Sequence, residues 1–90
     1  MLRIITKRDG SAYRLELHGS ITGDWIAVLE WHWREIRETT PSAIVVVLSN
    51  VVFIDASGER LLRKMAQRGV AIEGDGCMNR YVIDKLSGGV

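Results

Sequence analysis

The chain holds a single cysteine, Cys77, in its 90 residues. One thiol closes no intramolecular disulfide, which excludes a disulfide-stapled scaffold and points to a reducing compartment. Histidine and cysteine as metal ligands are equally scarce. His18, His32 and Cys77 are all there are, and none share a metal-ligand spacing, so no metal site and no cofactor are expected. Charge of one sign is missing too. The formal net charge is +1, with no bulk pull toward nucleic acid or anionic lipid. Long apolar runs are absent: the longest, Ala43 to Leu48, falls far short of a bilayer span. Met1 to Arg8 is broken by Arg3, Lys7 and Arg8 and lacks the apolar core of a signal peptide. Gly74-Asp75-Gly76 has neither the glycine fingerprint nor the lysine of a phosphate loop, and reads as a turn. The expectation is one cytoplasmic domain over residues 1–90, with no transmembrane segment and no nucleic-acid partner.

What is present is globular in character: 47% of residues are hydrophobic and 26% charged. There is no internal repeat and no low-complexity linker. Leu2, Ile4 and Ile5 suggest a first strand that ends at the turn pair Asp9-Gly10. Tyr13, Leu15 and Leu17 alternate with Arg14, Glu16 and His18, the period of a half-buried strand hairpinned to the first. Gly19 to Gly23 is the next connection.

Asp24 to Glu38 reads as a helix whose stripe is Trp25, Leu29, His32 and Ile36, flanked by Val28 and Trp33. Asp24 near its start and Arg34 and Arg37 near its end suit the helix dipole, and Thr40-Pro41 stops it. Ala43 to Leu48 is apolar without alternation, as in strands covered on both faces. Ser49-Asn50 interrupts it, and Val51 to Ile54 resumes it. A second amphipathic helix follows Asp55-Ala56-Ser57-Gly58 and runs to about Arg68. Leu61, Leu62, Met65 and Ala66 form its apolar face, Arg60, Arg63, Lys64 and Arg68 the other, and Gly69 its C-cap. Val70 to Ile72 is a short strand, and Met78 to Leu86 a final helix. The order β-β-α-β-α-β-α implies an α/β domain with a mixed sheet and helices packed on it.

In such sheets function gathers at the carboxyl ends of strands. Asp55-Ala56-Ser57-Gly58 falls there, with Ser57 at or next to a helix N-cap. Two readings stand side by side. A serine at a helix start is commonly a cap worth about 1 kcal/mol. The same hydroxyl, beside free helix N–H groups, would also accept a phosphate, which Asp55 would repel while local charge changes by about −2.

The stretch Ile44 to Ala66, IVVVLSNVVFIDASGERLLRKMA, resembles STAS domains, the fold of the anti-sigma factor antagonists. The matching residues are Phe53, Ile54, Asp55, Ser57 and Gly58. Leu17-His18-Gly19-Ser20-Ile21-Thr22 is similar to the turn that precedes the first helix of that family. The resemblance spans about Tyr13 to Leu86. It implies that Ser57 is the phosphorylation site and that the partner is an anti-sigma factor that is also the serine kinase. Departures are Ala56 for the first serine of the motif, Thr22 and Val47 where acids or amides are usual, and Glu59 and Arg60 after the glycine. The family's last strand and helix are also missing, so the domain is expected to be truncated at its C-terminus.

Asp55, Ala56, Gly58, Glu59, Thr22 and Asp24 are accordingly the expected partner-binding residues. Trp31 joins them, because it falls among Ala27, Arg34 and Glu38 on the polar side of the first helix, and an exposed tryptophan is a common interface anchor. Homodimerisation stays open. The alternative is an unphosphorylated STAS module, serving as a subunit of a signalling or lipid-transport complex or as a small-ligand sensor. An enzyme would need Ser57, Asp55 and a histidine in one pocket, and is not expected.

Overall fold

The protein is described from a computed structural model, over residues 1–74. The expected helix from Met78 to Leu86, the end of the turn over 74–76 and Cys77 lie outside these residues. The elements are β1 (Leu2–Asp9), β2 (Ala12–Ile21), α1 (Trp25–Arg37), β3 (Ala43–Ile54), α2 (Ala56–Gln67) and β4 (Ala71–Gly74). They form one four-stranded sheet in the order β1-β2-β3-β4. β1 pairs antiparallel with β2, and β2, β3 and β4 are mutually parallel. The mixed α/β sheet expected from the pattern is what forms.

Gly10, at φ +64°, makes the two-residue hairpin link between Asp9 and Ala12, a backbone region that suits glycine. β1 runs further than its apolar residues suggested, because the tight turn fixes the register and carries the ladder through Lys7 and Arg8. The link from β2 to α1 is shorter than expected. Gly19, Ser20 and Ile21 belong to the strand, and only Thr22, Gly23 and Asp24 connect.

β2-α1-β3 and β3-α2-β4 both step across the sheet in the same direction. Crossovers of one hand then place both helices on the same face. Accordingly Leu29, Trp33 and Ile36 of α1 and Leu61, Leu62 and Met65 of α2 share one core with Leu15, Leu17, Ile44, Val46 and Leu48. Neither α1 nor α2 lies on the second face, yet Val47 on that face is buried beside Glu16. That face carries Lys7, Arg14 and His18 around Glu16, with Lys7 Nζ 2.9 Å from the Glu16 carboxylate.

Two further corrections concern local packing. The stripe of α1 runs through Trp33, not His32. Trp25, Leu29, Trp33 and Ile36 lie at helical spacing on the inner side, and His32, half-buried at the edge of that stripe, meets Trp31 edge-on at 5.4 Å. β3 is not broken at Ser49-Asn50. It is one strand with two bulges. Leu48 faces Leu17 and Asn50 faces His18, leaving Ser49 unmatched, and Val51 faces Gly19 and Phe53 faces Ser20, leaving Val52 unmatched. Each bulge shifts the in–out alternation by one residue. Val52 and Phe53 are therefore 66% and 55% exposed at the end of an otherwise buried strand.

Candidate functional site

The carboxyl ends of β2 and β3 bring two turns together: Thr22-Gly23-Asp24 before α1, and Asp55 with the start of α2. Asp55 joins them. Its backbone N–H donates to the Ile21 carbonyl at 3.3 Å. Its side chain accepts from Gly58 N–H at 2.7 Å and from Gly23 N–H at 3.3 Å. With its extended backbone, Asp55 is the N-cap of α2. This corrects the reading of Ser57 as the cap. Ala56 is the first helical residue and Ser57 the second, so the Ser57 hydroxyl is already past the position from which a cap reaches the free N–H groups. The Gly58 N–H, expected to welcome a phosphate, is held by Asp55 instead.

Gly58 is buried where α2 crosses the end of β2. A Cβ there would overlap the Ile21 carbonyl oxygen and stand 3.0 Å from the Ile21 and Ile54 methyl carbons. The glycine serves close approach rather than an unusual φ. Ala56 and Ser57 are exposed. Ser57 Oγ accepts from Arg60 Nη2 at 3.2 Å. Glu59 is half-buried and pairs with Arg63 at 3.1 Å. Asp24, the N-cap of α1, is exposed and makes no side-chain cap bond. Trp31 is 59% exposed on α1.

The structure thus gathers Thr22, Gly23, Asp55, Ala56, Ser57 and Gly58 at one end of the sheet, while Trp31 lies further along α1. No hydrogen bond among the described residues links Ser57 or Asp55 to a histidine. His18 Nδ1 is 3.2 Å from the Asn50 amide, and His32 contacts Trp31. No described group of three or more His, Cys, Asp or Glu residues is placed to hold a metal ion. No described helix is long and apolar enough to cross a membrane. The exposure of Val52 and Phe53, at the same end of the sheet, was not expected from sequence. Only the bulges reveal it, and an apolar run carries no sign of a bulge.

The mixed α/β sheet and the Asp55-Ala56-Ser57-Gly58 turn at the end of β3 agree with the resemblance of the sequence to STAS domains. The crystal structure of an anti-sigma factor antagonist from Mycobacterium paratuberculosis superposes with a TM-score of 0.82 at 19% identity, over 98% of this chain and 79% of that one. The fold is therefore that of the antagonists. A second structure, of Mglu, matches 81% of this chain at 28% identity with a TM-score of 0.56. This chain spans only 19% of Mglu. No family model matches the chain, and no curated protein does.

Proposed function

We propose that this domain is a protein-interaction module of the anti-sigma factor antagonist kind, with Ser57 as its phosphorylation switch. The partner is a cytoplasmic anti-sigma factor with serine-kinase activity. It docks on the end of the sheet that carries Asp55, Ala56, Ser57, Gly58 and Glu59, with Thr22 and Asp24 alongside.

One observation carries the reading. Ser57 is exposed on the first turn of α2, and the capping work of that turn is done by Asp55. The hydroxyl can therefore be modified without dismantling the helix start. In the transfer, Ser57 Oγ forms a bond to the γ-phosphorus of a nucleoside triphosphate held by the kinase. The bond from that phosphorus to the bridging oxygen breaks, the nucleoside diphosphate leaves, and the serine proton passes to a base of the kinase. The product adds about two negative charges two residues from Asp55. A contact surface built around a neutral hydroxyl then carries a charge cluster, and the partner is released.

The test is intact-mass analysis of protein from its native host, with peptide mapping across Ile54 to Arg60. A phosphoryl group on Ser57 supports the switch. A Ser57 that stays unmodified across growth conditions overturns it and leaves the second reading, a constitutive interaction module. The exposed indole of Trp31, on a different helix from Ser57, favours that second reading.

A further inference from the structure

At the end of the domain opposite Ser57, where α1 and α2 finish and β3 begins, lies a cavity of about 310 Å³. It is lined by Trp33, Arg37, Thr40, Ser42 and Arg68, with apolar walls that include Ile44 and Val70. We propose that this cavity binds a small oxyanion, a carboxylate or a phosphate, between Arg37, Arg68 and the Trp33 indole N–H.

Three observations converge on it. The first is an unpaired donor. Trp33 lines the cavity with 1% of its surface exposed, and its buried Nε1–H has no acceptor among the described residues. A buried donor left unpaired costs about 1–3 kcal/mol, and the great majority of such groups in proteins are satisfied. An acceptor oxygen arriving through the cavity supplies what the fold lacks. The second is charge. Arg37 and Arg68 are the only charged residues among the described lining, and neither guanidinium has a carboxylate partner among the described ion pairs. Arg37 is held over the Trp33 ring, its guanidinium carbon 4.9 Å from the ring centroid. Its charge thus stands beside the unpaired donor. The third is backbone strain at the rim. Thr40 takes φ +50°, the only described non-glycine residue at positive φ. Such strain persists where the surrounding structure enforces it, and it concentrates at sites of function.

The volume sits at the lower end of small-molecule pockets, which suits a compact acid. The carbonyl ends of α1 and α2 point to this end of the domain and disfavour anions. A pair of guanidiniums outweighs those partial charges, because each forms charge-assisted bonds at close range. The competing occupant is a water molecule, which would satisfy the indole without using either arginine.

The test follows the three indole N–H resonances of the intact protein by two-dimensional NMR, with Trp33 assigned through Trp33→Phe. Potassium phosphate and sodium acetate are the probes, and sodium chloride at matched ionic strength is the control. The expected result is a saturable shift of the Trp33 resonance with one or both oxyanions, while those of Trp25 and Trp31 stay in place. Whichever probe saturates names the oxyanion. Arg68→Gln should weaken that binding about tenfold, the effect of one charge-assisted hydrogen bond. Arg37→Lys, which keeps the charge but loses the planar fork, should also weaken it. A shift that never saturates, one that chloride reproduces, or unchanged binding in both arginine variants overturns the proposal and leaves water in the cavity. Neither result bears on Ser57, so this site and the phosphorylation switch stand or fall separately.

Discussion

Gly58 packs against Ile21 so closely that the helix α2 reaches β2 backbone to backbone, with no room for a methyl group between them. The contact holds the start of α2 against the end of β2 and sets the place of Ser57. Gly58 lies inside a helix, where alanine is ordinarily better by about 1 kcal/mol. Packing predicts the opposite sign. Gly58→Ala forces backbone apart and should destabilise by about 2–3 kcal/mol, a loss of at least 8 °C in Tm for a domain of about this size. Urea and thermal unfolding measure it. A neutral or stabilising Gly58→Ala would mean that the close approach is not there.

The cap assignment separates two neighbouring residues. Asp55→Ala removes the acceptor for both Gly58 and Gly23, and should cost about 1–2 kcal/mol. Asp55→Asn, an equally good cap, should recover most of that loss. Ser57→Ala should change stability by less than about 0.5 kcal/mol, since the exposed hydroxyl makes a single surface bond, to Arg60. Chemical denaturation of the three variants checks the ranking. A Ser57→Ala loss equal to that of Asp55→Ala would return the cap to Ser57.

Acid should weaken the domain through two surface glutamates. The hydrogen bond from Lys7 holds Glu16 below the ordinary glutamate range, helped by the charges of Lys7, Arg14 and His18 and opposed by partial burial. The bond from Lys64 does the same for Glu30, helped by Lys64 and Arg34 and again opposed by burial. A carboxylate whose folded pKa is depressed stabilises above its unfolded value. That contribution is lost as pH falls through the folded value. Stability should thus be flat near neutrality and decline once pH drops below the ordinary glutamate range. Glu16→Gln and Glu30→Gln should each make the acid limb shallower in thermal melts from pH 7 to pH 3. The Glu30 effect should couple to Lys64, because that pair ties α1 to α2 at 3.0 Å. Acid limbs identical to wild type would show that the pairs do not persist in solution.

Much of the fold was legible because periodicity and turn chemistry agree. Leu15 and Leu17 alternate, Asp9-Gly10 closes the hairpin, and Leu61, Leu62 and Met65 repeat at helical spacing. Trp31 could be placed outward by the same counting. Three features were not legible, each for a physical reason. Asp55 and Ser57 are both good caps two residues apart, and only backbone geometry decides between them. His32 and Trp33 are adjacent on α1, and a small rotation of the helix exchanges which one is buried. The exposure of Val52 and Phe53 follows from bulges at Ser49 and Val52. In an unbroken apolar run, no residue type announces where the alternation slips.

The switch itself makes a prediction about stability as well as binding. A negative charge in the first turn of a helix is favourable by about 0.3–1 kcal/mol. Ser57→Asp puts one there, beside Arg60, whose guanidinium already reaches the Ser57 oxygen. Asp55, two residues back, opposes it at short range. The two effects are of similar size and opposite sign, so Ser57→Asp should unfold within about 0.5 kcal/mol of wild type. In the Arg60→Gln background the favourable partner is gone, and the same substitution should become destabilising. Paired denaturation curves of Ser57→Asp with and without Arg60 read this directly. The near-neutral result matters for function. It lets loss of partner binding in Ser57→Asp be assigned to the interface, because the domain that presents the charge remains folded. A strongly destabilised Ser57→Asp would instead make release of the partner a consequence of unfolding α2, and the surface would not be a switch.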